Sequence, residues 1–300
     1  MRRGLRAALI AAATAAVLVA TGCGGGPTVG DGVLGLDWSV MPEPVVPTPK
    51  AEMCYPGVAK EVDWDLSTFG STPVACTEEH QSETFNVGTL IADDSVDRPE
   101  VGDDLFREAY EACATEAKVF LGGDFHTARV AIVPVMPTER QWRGEARWYR
   151  CEMLETKDTW ETIVTRKASL RDGLRGSRPA AITCANDNFD DKSASGNNVV
   201  YVGCSVPHTA ELTGIYTAPN GPNPGWDKAL KKALAGCYAI GAKYLGMTTS
   251  ALNSRGGVQW IAWQRDEAFW SVGDRSTRCY LGPYPTRKIK GSIKGRRPPL

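Results

Sequence analysis

A chain of 300 residues, 42% hydrophobic and 23% charged, can bury real cores in two ordinary domains. Its formal net charge of −1 gives no electrostatic case for nucleic acid, and no nucleic-acid partner is expected. After residue 22 no apolar run reaches the roughly 18 residues that a spanning helix requires.

The N-terminus has the form of an export signal. MRRGLR is a basic region, and AALIAAATAAVLVAT is an apolar segment too short and too rich in small residues for a span. ATGC resembles a bacterial lipobox, which makes residues 1–22 a lipoprotein signal peptide and Cys23 the lipidation site. Residues 23–50 are Gly-rich and then Pro-rich without a sustained period, and are expected to be a tether with a reach of roughly 30 Å. The expected location is the extracytoplasmic face of the cell membrane, held by a lipid anchor.

Export decides how cysteine is read. Apart from Cys23 the cysteines are Cys54, Cys76, Cys113, Cys151, Cys184, Cys204, Cys237 and Cys279. An even set in an exported chain implies disulfides. The eight fall into two sets of four with similar spacing. Cys113…Phe120-Leu121-Gly122 is answered by Cys237…Tyr244-Leu245-Gly246, and Trp142-Gly144-Arg147-Cys151 by Trp270-Gly273-Arg275-Cys279. TRKASLRDGLRG (165–176) resembles TRKIKGSIKG (286–295). The expected fold class is α+β, as two tandem repeats at 51–177 and 178–295 followed by a basic tail at 296–300. Each repeat is a small, mainly antiparallel sheet with one main helix, braced by disulfides. Four cysteines allow three pairings within a repeat, and spacing does not choose among them.

In each repeat short β-rich runs come first: TPVAC and FNVGTLIA, then NVVYVGC and AELTGIYTA. One helix follows. In the first copy Phe106, Ala109, Tyr110, Cys113, Ala117, Phe120 and Leu121 form its apolar stripe. In the second, Trp226, Leu230, Leu234, Cys237 and Tyr244 are the expected stripe, with Asn223-Pro224 as its start. ARVAIVPVM and ARWYRC, and GGVQWIAWQ and DRSTRC, are the later strands. A disulfide from the third cysteine would fasten helix to sheet. The first helix is acidic and the second basic, expected as solvated faces. RKIKGSIKGRRPPL is expected to be a frayed tail.

VACTEEHQSETF and VGCSVPHTAELT both contain Cys-x3-His-x2-Glu, at His80 and Glu83 and at His208 and Glu211. Two of the three histidines therefore occupy matching places. A zinc site needs three or four ligands, and disulfide sulfur is not a thiolate, so no metal and no cofactor are expected. No free thiol stands beside a histidine, no GxSxG occurs, and no catalytic residue is assigned. The pairs are expected to hydrogen-bond to each other and to the backbone as turn locks, or to contact a ligand. Trp142 with Arg147, and Trp270 with Arg275, are expected as core and brace first and as ligand-contacting aromatics for sugar stacking second, and His126 as an exposed loop residue.

The combination of Cys-x3-His-x2-Glu, a helical Cys and Trp-x-x-Gly-x-Arg…Cys resembles the septum formation domain family of actinobacterial envelope proteins. SVPHTAELTG with Trp270, Gly273, Arg275 and Cys279 carries the resemblance best, and the first copy departs from it in TEEHQSETFN. The resemblance implies a non-catalytic protein of envelope assembly or septation, whose partner is an envelope or divisome protein or a cell-wall polymer. The alternative is a wall-directed enzyme or a glycan-binding module.

Overall fold

A computed structural model describes residues 47–57, 59–64, 72–93, 96–187, 198–264 and 267–300. The signal peptide, Cys23 and the tether up to residue 46 lie outside the described residues.

The fold is α+β, with a four-stranded and a five-stranded antiparallel sheet. The first sheet has the order β1-β2-β4-β3, from β1 (Met53–Tyr55), β2 (Ser82–Thr89), β3 (Val130–Val135) and β4 (Trp148–Glu155). Helix α1 (Asp104–Leu121) lies on one face, and every residue of its expected stripe is buried. It stops at Gly122, whose φ of 77° and N–H bonds to Lys118 and Val119 carbonyls form a left-handed C-cap. All six residues of β3 are buried, because α1 covers one face while Val62, Trp64 and Ile163 cover the other. β3 is also an edge strand, where Pro134 withholds no hydrogen bond from a neighbour.

The second sheet runs β6-β5-β7-β9-β8. Its strands are β5 (Cys184–Asp187), β6 (Val199–Val202), β7 (Ala210–Thr217), β8 (Val258–Gln264) and β9 (Ser276–Pro283). The pairing of β2 with β4 slips between Thr84 and Asn86, and that of β7 with β9 slips between Leu212 and Gly214. Both irregularities begin immediately after the motif glutamate, Glu83 or Glu211. Short helices α2 (Glu139–Arg143), α4 (Thr249–Arg255) and α5 (Glu267–Ser271), a 3-10 turn (Phe125–Thr127) and the long helix α3 (Trp226–Tyr244) complete the described elements.

Helix α3 (Trp226–Tyr244) corrects two expectations. It starts after Gly225, while Asn223 accepts the Gly225 N–H at 2.9 Å instead of capping a helix that begins at Pro224. Its buried face is Ala229, Ala233, Cys237, Gly241 and Ala242, whereas Trp226 and Leu234 are exposed. The face is made of small residues because aromatics rise from the sheet to meet it. A Cβ on Gly236 would lie 2.1 Å from the Tyr216 ring, and one on Gly241 2.1 Å from the Trp260 ring. Alanine in mid-helix normally gains about 1 kcal/mol over glycine. Here Gly241→Ala is expected to reverse that sign and cost about 1–3 kcal/mol in chemical denaturation.

Four disulfides join Cys54–Cys76, Cys113–Cys151, Cys184–Cys204 and Cys237–Cys279, so every pairing stays within its set of four. The second and fourth fasten α1 to β4 and α3 to β9. The halves nevertheless share one body. Val272 packs in the core beneath α1, and residues 157–159 pair with the β6 edge through Asp158–Val200. The charged residues of α1 and α3 are on solvent faces. The C-terminal segment is not frayed: Ile293 is buried, and Ile289 and Leu300 pack against the core of the second half.

Candidate functional site

His80 ends the loop that enters β2, and its backbone exchanges two hydrogen bonds with Arg166, from the segment beyond β4. Its Nδ1 lies 2.8 Å from the Glu78 carbonyl oxygen. A carbonyl only accepts, so Nδ1 carries the proton and the ring is held in one orientation. Glu83 is buried at 3% exposure. Its Oε1 accepts from the Ser169 hydroxyl at 2.5 Å and its Oε2 from the Leu170 N–H at 2.8 Å. Ser169 Oγ then accepts the Arg171 N–H at 3.0 Å, and the Arg171 guanidinium lies 4.7 Å from the Phe120 ring centre on α1. One carboxyl group thus ties strand, returning segment and helix together.

The second half repeats this arrangement. His208 exchanges backbone hydrogen bonds with Ile289, and its Nδ1 lies 2.8 Å from the Val206 carbonyl. Glu211, equally buried, accepts from the Ser292 hydroxyl at 2.5 Å and the Ile293 N–H at 2.6 Å. Ser292 accepts the Lys294 N–H at 3.1 Å, and the Lys294 ammonium stands 5.8 Å from the Tyr244 ring. Tyr244 adds a third hydrogen bond, donated to Glu211. Burial, and after it that bond to Glu211, push the Tyr244 hydroxyl well above its ordinary pKa.

Both pairs therefore face inward. The hydrogen bond expected between histidine and glutamate does not form: each glutamate is engaged by the returning segment, and Nε2 of both histidines has no hydrogen-bond partner. Ligand-type atoms of Cys54, His80 and Glu83 come within 4.8 Å of one another, as do those of Cys184, Cys204 and His208. All three cysteines are in disulfides, so their sulfurs are not thiolates and do not act as metal ligands in this state. Ser169-Leu170-Arg171 and Ser292-Ile293-Lys294 are the partners that sequence reasoning missed. The signal was a serine, an apolar residue and a cation in each returning segment.

Residues 57–279, running through both sheets, match the septum formation family. The chain belongs to that family. Nothing among curated proteins or solved structures matches it.

In this member of the septum formation family the tryptophan–arginine pairs sit at the turn before the last strand of each half. Trp142 is buried in α2, donates from Nε1 to the Val96 carbonyl at 2.8 Å, and has the Arg147 guanidinium 4.2 Å from its ring. Arg147 donates in turn to the Trp142 carbonyl at 2.8 Å. Trp270, in α5, is half-buried and donates to the Gly221 carbonyl at 3.3 Å. Arg275 is 5.4 Å from the Trp270 ring and donates to the Gly273 carbonyl at 3.0 Å.

His126 is not an exposed loop residue. It lies in a single turn of 3-10 helix capped by Asp124, and its ring bridges the halves. Nδ1 is 2.7 Å from Asp124, and Nε2 is 3.2 Å from Asp274 in the loop before β9. Tyr110 donates to the same Asp274 at 3.0 Å, and Arg278 donates to the His126 carbonyl at 2.9 Å. Burial works against the imidazolium, but the hydrogen bonds to the two carboxylates outweigh it and raise the pKa of His126. Burial would likewise raise that of Asp124, and His126 more than reverses it. A raised histidine contributes stability that is complete below its unfolded pKa of about 6.5 and is lost as pH rises through the folded value. The lowered Asp124 contributes above its unfolded pKa of about 3.9 and loses that contribution as pH falls through the folded value. The bridge is thus strongest between those limits. His126→Ala is expected to lower Tm clearly at pH 6 and less at pH 8, which thermal melts at the two pH values will measure.

Proposed function

We propose that this protein is a non-catalytic scaffold or binding protein of cell envelope assembly or septum formation. It is tethered by a lipid on Cys23 to the outer face of the cytoplasmic membrane and built from two tandem copies of one unit. Family membership supports the division and envelope setting. The observation that carries the non-catalytic part is the fate of the most reactive residue types. Both His–Glu pairs are nearly solvent-free, and both glutamates are occupied in closing their own half. The same closure in each half, with matched disulfides, supports reading them as copies. Both motif glutamates are taken up in closing the fold, and function falls to the protein's surfaces.

The test is crosslinking in cells followed by identification of partners, with a Cys23→Ser variant in parallel. Capture of envelope or divisome proteins, lost when Cys23 is replaced, is the expected result. Capture of cytoplasmic proteins alone, or unchanged membrane association of the Cys23→Ser variant, would overturn the scaffold or the tether respectively.

A further inference from the structure

A cavity of about 350 Å³ opens between the two halves, and none of the four His–Glu motif residues lines it. Five aromatic rings line it: Trp64 and Trp160 from the first half, and Trp226, Trp263 and Phe269 from the second. Its size falls in the range of small-molecule sites, and its place between two packed halves is where such sites concentrate. Two of the rings are not holding the fold together. Trp160, in the turn after β4, is 57% exposed, and Trp226, the first residue of α3, is 53% exposed. An indole is worth most when it is covered, and two left open in the lining of one cleft, one from each half, mark a surface that a ligand completes.

The lining also states what chemistry would complete it. Beside the rings stand Asp63 and Glu161, whereas the Thr159 hydroxyl is buried and already accepts the Val199 N–H at 2.9 Å; among the described residues the lining carries no lysine or arginine. That composition disfavours phosphates and other anions. A small organic cation would suit aromatic faces in general. Here the cation role at Trp263 is already filled from within, by the Arg278 guanidinium 5.4 Å from its ring, and both carboxylates already hold partners in the fold. What remains open is the flat apolar faces of Trp160 and Trp226, beside an acidic edge. These fit a ligand with C–H faces to stack and hydroxyl groups to donate.

We propose that this cleft binds an uncharged saccharide, with the exposed faces of Trp160 and Trp226 stacking on sugar rings beside the acidic edge of Asp63 and Glu161. The site deepens the reading of the protein as a binding module and rests on it. The test titrates the full-length protein in detergent with chitotriose, maltotriose and tetramethylammonium chloride, followed by tryptophan fluorescence and calorimetry. At least one saccharide is expected to bind, and Trp160→Ala and Trp226→Ala each to weaken it several-fold to about tenfold. Both positions are open to solvent, so circular dichroism and Tm should not change. Binding of neither saccharide, binding of tetramethylammonium alone, or saccharide affinity unchanged in the double variant would each overturn the proposal. Saccharide binding without crosslinked protein partners would remove the protein scaffold but keep the site, and the converse would remove only the site.

Discussion

Replacing Cys113 and Cys151 together by alanine is expected to destabilise the protein by about 2–4 kcal/mol. For a body of this size that lowers Tm by roughly 5–15 °C. Both sulfurs are fully buried, and the bond joins the middle of α1 to β4 across a sequence separation of 38. Removing it frees the loop in the unfolded chain and leaves α1 held to its sheet by packing alone. The partner bond, Cys237–Cys279 at a separation of 42, is buried in the same way and should behave alike. Cys76 and Cys204, by contrast, are only half-buried. A mild thiol reductant is therefore expected to open Cys54–Cys76 and Cys184–Cys204 first, because exchange requires access to a sulfur. Thermal melts of the double variants, with mass-spectrometric timing of reduction, check both parts. Simultaneous opening of all four bonds would contradict the assignment of sealed and accessible pairs.

Glu83→Ala is expected to cost about 3 kcal/mol or more, with Glu211→Ala similar or greater. Each glutamate side chain satisfies a hydroxyl and a backbone N–H deep in the fold, and Glu211 also takes the Tyr244 hydroxyl. Deleting the acceptor leaves buried donors unmet at about 1–3 kcal/mol each, the larger part of the effect. Glutamine retains one acceptor oxygen and should recover part of the loss. Chemical denaturation of the alanine and glutamine variants measures the difference. If alanine costs no more than a typical surface substitution, within about 0.5 kcal/mol, the closure described here is not holding either half.

Much of this was legible in the chain, and the illegible parts have physical causes. The apolar stripe marked the third cysteine of each set as the one that fastens helix to sheet, but spacing did not choose its partner, which the structure gives as Cys151 and Cys279. α1 was readable because large apolar side chains mark its face. The existence of α3 and the burial of Cys237 were readable too, but the rest of its face was not, because that face is alanine and glycine and the bulk comes from Tyr216 and Trp260 on the sheet. The buried places of Glu83 and Glu211 were hidden because their partners lie more than 80 residues away, on segments that resemble basic loops. His126 was misread for a similar reason. Its second carboxylate, Asp274, is 148 residues distant and in the other half.

Amide hydrogen exchange across residues 165–171 and 288–294, in the parent protein and in the Glu83→Gln and Glu211→Gln variants, tests most directly whether the repeated His–Glu motif exists to close each half. Leu170 and Ile293 should be protected in the parent. Each substitution should release its own segment while the other stays protected. Unchanged protection at Leu170 in Glu83→Gln and at Ile293 in Glu211→Gln would contradict a closing role for the motif and return both pairs to the search for chemistry.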